Sequence, residues 1–481
     1  MYCRCRRLLH AATAPIYSNR VRLSKKQLMA VNNQMKNAIN DEILAQETKC
    51  IAKAQKIPYT PVAFQKGEGA LLYDYAGKTY IDFLSSASSA NIGHGNREIA
   101  EAVKKQMETI AQYCMVYFPM KEPVELAQVL IEMAGREDMM VCYSTTGSES
   151  IDAAIKYARA FTGRSKIISF FEAYHGSTYG AISVSALSNN MRRKIGPLLP
   201  EVYHFQYPCC ARCKYGKQKN TCELECLGEL QYAFKHYIPC EEIAAVFIEP
   251  IAGDAGLIVP PSRYVQALAQ LCKENGILLV SDEIQQGVGR TGKWFALDHF
   301  EVDADLYVLG KSIGAGLPLG VLMGRREIMQ ALDAPAHLFS HSGNSTVCVA
   351  CMKMLEIYKR ENINAQSAQK GEYLKQKLEA LMQKHAVIGD VRGIGLSIGV
   401  DLVKDRTTME KNYTAAAKIS YKCMEDGLLL TFVGQSTLRV QPPLVITYAQ
   451  MDEALNILEH ALQEYEAGTI SNSILEQVKG W

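Results

Sequence analysis

Gly276-Ile-Leu-Leu-Val-Ser-Asp-Glu283 and Asp305-Leu-Tyr-Val-Leu-Gly-Lys-Ser312 are the two stretches that decide the fold. Each is a short apolar run of strand length, and each stops on a charge, Asp282 in the first and Lys311 in the second. A charged group at the end of an apolar strand is expensive to bury unless it is neutralised or paired. Taken singly, a surface lysine and an acidic strand end are the simpler readings. Taken together they fit a pyridoxal phosphate (PLP) site, in which a lysine amine bonds the cofactor and a carboxylate holds the pyridine nitrogen protonated.

Outward from this pair the chain alternates strand and helix. Strand patterns cover 139–143, 166–170 and 244–249, and helical patterns cover 96–112, 149–161 and 264–275. Such alternation predicts an α/β fold with a mainly parallel sheet wrapped by helices, whose ligands sit at the carboxyl ends of the strands. Before it, 70–83 reads as two strands split by the Ala76-Gly77 turn. After Gly343 come helices to about 359 and over 369–385, then strands near 395–402 and 437–440. The expected organisation is a basic extension over 1–40 (disordered, or ahead of a native start at Met29 or Met35), an N-terminal lobe segment over 41–95, a large domain over 96–335 and a small C-terminal domain over 336–481.

Composition narrows the function. The 481 residues are 48% hydrophobic and 21% charged with a net charge of +2, which gives no electrostatic case for nucleic acid or a membrane surface. No apolar stretch is long enough to span a bilayer. The first acidic residue is Asp41, preceded by Arg4, Arg6, Arg7, Arg20 and Arg22 among others. The expected location is cytoplasmic, or mitochondrial if this leader is a transit peptide. Most of the fifteen cysteines read as small core residues of a reducing compartment. Cys209, Cys210, Cys213, Cys222 and Cys226 instead cluster in a Lys-rich insertion over 207–230. Their spacing has zinc-ligand character, but an insertion loop with adventitious or pairable thiols is the simpler reading, and no metal is assigned.

Three further motifs bear on the site. Ser144-Thr-Thr-Gly-Ser-Glu149 leads a strand into a helix, offering free amides and a positive dipole end to a phosphate, although Ser148 could simply cap the helix. Tyr174-His175-Gly176 puts an aromatic at a strand end, able to stack on a cofactor ring. Asp254, in a glycine-rich turn, is either a proton-transfer group or a turn former.

Asp282-Glu-Ile-Gln-Gln-Gly-Val-Gly-Arg-Thr-Gly292 followed by Lys311 resembles the signature of the class III (ornithine/4-aminobutyrate-type) PLP aminotransferases, a fold type I family. Thr146 to Glu149, Tyr174 to Gly176, Glu249-Pro250-Ile251, Ser340 to Asn344 and Leu438-Arg439 fall in the same order as that family's motifs. The resemblance implies that Gly147 and Ser148 bind the phosphate, Tyr174 stacks on the ring, Asp282 pairs the ring nitrogen, Gln285 contacts the phenolic oxygen and Lys311 attaches the cofactor. It further implies that Ser340 reaches the phosphate of a neighbouring subunit, so that a homodimer or tetramer shares its active sites, and that Arg439 binds the substrate carboxylate as a forked ion pair. Two departures stand out: the family's Gly-Gly-Asn-Pro is Ser342-Gly343-Asn344-Ser345, and its Gln-Gly-Glu-Gly-Gly is Ala252-Gly253-Asp254-Ala255-Gly256.

Within the family the chain is most similar to the isoleucine 2-epimerase and broad amino-acid racemase group, on strings such as Phe83-Leu-Ser-Ser-Ala-Ser-Ser-Ala-Asn-Ile-Gly-His94 and Leu332-Asp-Ala-Pro-Ala-His-Leu338. The expected activity is therefore racemisation or epimerisation of aliphatic amino acids, with Lys311 and Asp254 as the two proton-transfer groups. The alternative is transfer of an α- or ω-amino group to a keto acid.

Overall fold

The computed structural model describes residues 25–136 and 138–480, with side chains from residue 38 onward. Most of the basic extension lies outside the described residues; its last part belongs to the helix Lys25–Cys50.

The core is a seven-stranded sheet. Its strands are β4 (Met139–Ser144), β5 (Lys166–Phe170), β6 (Val202–Phe205), β7 (Ile243–Ile248), β8 (Leu278–Asp282), β9 (Leu306–Leu309) and β10 (Gly320–Arg325), in the order β4-β10-β9-β8-β7-β5-β6. Strands β6, β5, β7, β8 and β9 pair in parallel, and β10 runs antiparallel to both β9 and β4. All strands but β10 thus point the same way, and their carboxyl ends share one edge. β7, β8 and β9 are buried along their whole length, which is why they read as continuous apolar runs rather than alternating ones. Alternate residues feed two cores: Phe247, Val280, Val308 and Leu322 pack with the helix Gly147–Thr162, and Val246, Leu279, Leu309 and Val321 pack on the opposite face.

Two smaller sheets flank this one. The 70–83 hairpin is present as β2 (Leu71–Asp74) and β3 (Thr79–Asp82), joined by β1 (Phe64–Glu68) on one side. On the other side β3 pairs in parallel with β13 (Leu428–Leu429), so Ile81 stands beside Leu428. The C-terminal lobe holds an antiparallel sheet ordered β11 (Ile388–Ile394), β12 (Ser397–Leu402), β15 (Thr437–Val440), β14 (Thr431–Val433). Its β15 carries Arg439 toward the edge where Asp282 and Lys311 emerge. Among the described residues no helix is long and apolar enough to cross a membrane.

Candidate active site

β8 delivers Asp282 as its final, buried residue. Its Oδ1 accepts the Ile284 amide at 3.0 Å, and its Oδ2 lies 2.7 Å from His175 Nδ1. The other ring nitrogen, Nε2, is 3.3 Å from Ser169 Oγ, while the Ser169 hydroxyl donates to the Val184 carbonyl at 2.6 Å. A hydroxyl has one proton. With that proton on Val184, Nε2–H must donate to Ser169 Oγ and Nδ1–H to Asp282, which makes the ring an imidazolium. Burial opposes that charge, but the hydrogen bond and charge of Asp282 outweigh it and raise the His175 pKa. The sequence reading assigned His175 no role; a histidine beside the ring-stacking aromatic was the available signal.

Glu249, past the end of β7, joins two loops. Its Oε1 accepts the Tyr174 amide at 3.0 Å and its Oε2 accepts the Gly253 amide at 2.8 Å. Burial pushes this carboxyl up to about 7 against the opposing pull of His175.

Lys311 opens the short turn Lys311–Gly314 with a left-handed backbone, φ 49°. A Cβ on the preceding Gly310 would lie 3.2 Å from Gly147 Cα, so β9 ends directly against the start of the helix Gly147–Thr162. Burial lowers the Lys311 pKa, with the charges of Asp254 and Asp282 pulling it back. Both acids therefore lie within electrostatic reach of its amine.

Asp254 and Arg439 are both buried and form an ion pair through Arg439 Nη2, while Arg439 Nε has no partner among the described residues. Read from the chain alone, these two residues have separate tasks; the structure couples them. The turn bearing Asp254 is held from outside. Gly434 donates its amide to the Asp254 carbonyl at 3.0 Å, and Arg392 donates to the Gly256 carbonyl through Nη2 at 2.6 Å and Nε at 3.0 Å. Arg392 also donates to the buried Asp401 at 2.9 Å, which accepts from Arg212 of the Cys-rich insertion at 3.1 Å.

At the helix start the cap is Thr146, not Ser148: Thr146 Oγ1 accepts the Glu149 amide at 3.3 Å, and Glu149 Oε2 accepts the Thr145 and Thr146 amides at 2.8 and 3.2 Å. This capping box leaves the Gly147 and Ser148 amides without a protein acceptor among the described residues. Ser148 Oγ accepts the Ser177 amide at 3.1 Å, and a Cβ on Gly176 (φ 136°) would sit 2.1 Å from that oxygen. Tyr174 is half-buried, with its hydroxyl 3.2 Å from Ser177 Oγ. Gln285 is buried, and a Cβ on Gly253 would fall 2.1 Å from its Oε1. Ser340 is different: it is exposed, its carbonyl accepting from Gln112 Nε2 at 2.8 Å.

A lysine amine, a carboxylate backed by a charged imidazole and two open amides at a helix N-terminus thus adjoin one another. That donor set fits a pyridine ring with a phosphate tail.

Comparison with known proteins agrees. The family model "Aminotransferase class-III" matches residues 52–462. The chain is 40% identical to isoleucine 2-epimerase of Lentilactobacillus buchneri over 89% of this chain and 96% of that protein. It is 38% identical to leucine/methionine racemase of Thermococcus litoralis over 92% and 99%. It superposes on the structure of taurine:2-oxoglutarate aminotransferase from Bifidobacterium kashiwanohense, solved in complex with PLP and glutamate, with a TM-score of 0.82 at 27% identity, covering 89% of this chain and 98% of that one. Matched along most of its length and carrying the residues that PLP requires, the chain belongs to the class III aminotransferase family of PLP-dependent enzymes.

Proposed function

We propose that this enzyme is an amino-acid racemase or epimerase acting on aliphatic amino acids. The observation that carries the reading is Asp254, a buried carboxylate within electrostatic reach of the Lys311 amine, to which we assign the second proton transfer. The identity of about two fifths to an isoleucine 2-epimerase and a leucine/methionine racemase supports it.

When bound, PLP draws electrons from the substrate and makes its α-proton removable. His175 keeps its positive charge against Asp282 and so holds that carboxylate in place for the ring nitrogen. Lys311 Nζ, with its pKa lowered by burial, is more readily in the neutral, proton-accepting form than an exposed lysine and takes the α-proton of one enantiomer. Asp254, a carboxylate on Arg439, takes it from the other, directly or through water. As one group removes the α-proton, the other, in its protonated form, delivers its own solvent-derived proton to the opposite face. Arg439 keeps Nε–H for the substrate carboxylate while Nη2 holds Asp254. Gly147 and Ser148 would hold the phosphate with their open amides, Tyr174 would stack on the ring and Gln285 would contact its phenolic oxygen.

The second reading, transfer of the amino group to a keto acid, is favoured by the family itself. One incubation separates the two: L-isoleucine in D2O without any keto acid. D-epimer formation with deuterium at Cα is the expected result; turnover that requires a keto acid, without inversion, refutes the racemase.

The active unit is a homodimer or a tetramer, with Ser340 contributed across the interface. The exposed Tyr113, Tyr117 (77%) and Phe118, close to the Gln112 that holds Ser340, support this, since so much aromatic surface calls for a cover. Analytical ultracentrifugation showing a monomer at micromolar concentration would refute it.

A further inference from the structure

The Cys-rich insertion folds around a separate cavity. The short turn Cys210–Arg212 and the helix Glu225–His236 enclose about 40 Å³ lined by Cys209, Cys210, Cys213, Cys222, Cys226 and Tyr215. That volume holds two or three water-sized molecules. All five thiols are half-buried and free, unlike Cys348, Cys351 and Cys423, which are fully buried in the apolar core. Among the described residues no three His, Cys, Asp or Glu side chains are arranged to hold a metal ion.

Among these thiols Cys222 is the one in contact with a guanidinium: Arg263 Nη2 donates to its Sγ at 2.7 Å and to the Lys219 carbonyl at 3.0 Å. Cys210 and Cys226 line the same cavity as Cys222. Burial pushes the Cys210 thiol up and the Cys226 thiol up to about 11. Lys214, Lys217 and Lys219 rim the opening, the first two paired with Glu229 and Glu225.

We propose that this cavity is an oxidisable thiol site in which Cys222 reacts with a hydroperoxide and joins Cys210 or Cys226 in a reversible disulfide. The Cys222 thiolate attacks the O–O bond, forming a sulfenic acid and releasing hydroxide, which takes up a proton as water. The neighbouring thiol then attacks the Cys222 sulfur, and the S–O bond breaks as a second water leaves. In total two thiols and one hydrogen peroxide give one disulfide and two waters, and a dithiol reductant reverses the change. The proposal is independent of whether the enzyme racemises or transaminates its substrate.

The test uses the PLP-loaded, fully reduced enzyme, treated with one equivalent of hydrogen peroxide, alkylated and mapped by mass spectrometry before and after reduction. The expected result is a Cys222 peptide linked to the Cys210 or the Cys226 peptide, with the link removed by dithiothreitol. Arg263→Met should slow its formation by about tenfold, because the N–H contact on the Cys222 sulfur is lost. An unlinked Cys222, or a link between other cysteines only, overturns the proposal. So does a zinc ion retained at one per chain that shields these thiols until it is chelated. Because the mapping is done on the unmodified protein, a misfolded Arg263 variant would leave it decisive.

Discussion

Asp254→Asn preserves the shape of the side chain and removes its charge, so it separates two tasks that the structure gives to one residue. As half of a buried ion pair, Asp254 neutralises Arg439. Removing one partner of such a pair costs about 3–5 kcal/mol, chiefly because the other charge is left buried alone. The Asn carbonyl can still accept the Arg439 proton, which places the expected loss near about 3 kcal/mol, and Arg439 already has an unsatisfied Nε. As a proton-transfer group, Asp254 should contribute about 10²–10⁴-fold in rate. The prediction is therefore a lowered thermal midpoint, an intact visible absorbance of bound PLP and a racemisation rate reduced by at least about a hundredfold, read by chiral chromatography in D2O. The companion Asp254→Asn/Arg439→Met variant removes the orphan charge and should recover most of the lost stability without recovering the rate. Undiminished racemisation in the single variant, or a rate that returns with stability in the double one, would falsify the assignment.

Three other consequences can be measured. Burial pushes the Glu283 carboxyl up to about 7 from its ordinary 4.5. A folded-state pKa above the unfolded one gives stability that is complete below about 4.5 and is lost as pH climbs through about 7, worth about 3 kcal/mol at most; relative to the parent enzyme, Glu283→Gln should therefore gain stability between about pH 5 and 8 in paired melts. An unchanged difference across that window would count against a protonated Glu283. Gly176→Ala would drive a Cβ into Ser148 Oγ at a position that already needs a left-handed φ, so PLP affinity in absorbance titrations should fall at least about tenfold; native affinity would show that this loop gives way easily. Arg290 is fully buried and donates to Ser85 Oγ at 3.0 Å, to the Leu396 carbonyl at 2.9 Å and to the Pro442 carbonyl at 2.6 Å. Arg290→Met strands those acceptors together and should cost about 4 kcal/mol, visible as a lower melting temperature or insoluble expression; a melt like that of the parent would refute its bracing role.

The sheet and half of the site could be read from the chain because their signals are local. Asp282 and Lys311 are charges at the ends of apolar runs, and β5 has the bounds its pattern predicts. The capping box at Thr146 and Glu149 was also in plain view, since a hydroxyl followed by glutamate three residues later is its signature, yet Ser148 attracts the eye as the nearer hydroxyl to the helix. Other features have no local signature. Gly320-Val-Leu-Met-Gly-Arg325 is as apolar as its neighbours, and nothing in it says that β10 runs backwards. The Asp254–Arg439 pair joins residues 185 positions apart, and only the packing of β15 against the β7 turn brings them together. His175 gains its charge from a proton count over Ser169 and Val184, a three-body matter that no motif records.

The pairing of β3 with β13 has a consequence for how the protein is made. Ile81 leaves the ribosome about 350 residues before its neighbour Leu428 exists, and at about 5–20 residues per second that interval lasts roughly 20–70 s. Through all of it the β3 edge, with Tyr80 and Ile81 destined for burial, has no strand to pair with. The first sheet of the chain is therefore among the last to be completed, and its slowest contact joins the two lobes. A nascent chain halted anywhere before residue 428 exposes an open, apolar edge, so the demand for a holding chaperone is set by chain order rather than by native stability. A circular permutant that begins in the 333–338 segment would place β13 ahead of β3 and shorten that wait from about 350 residues to roughly 130, the tail after β13 plus the chain ahead of β3.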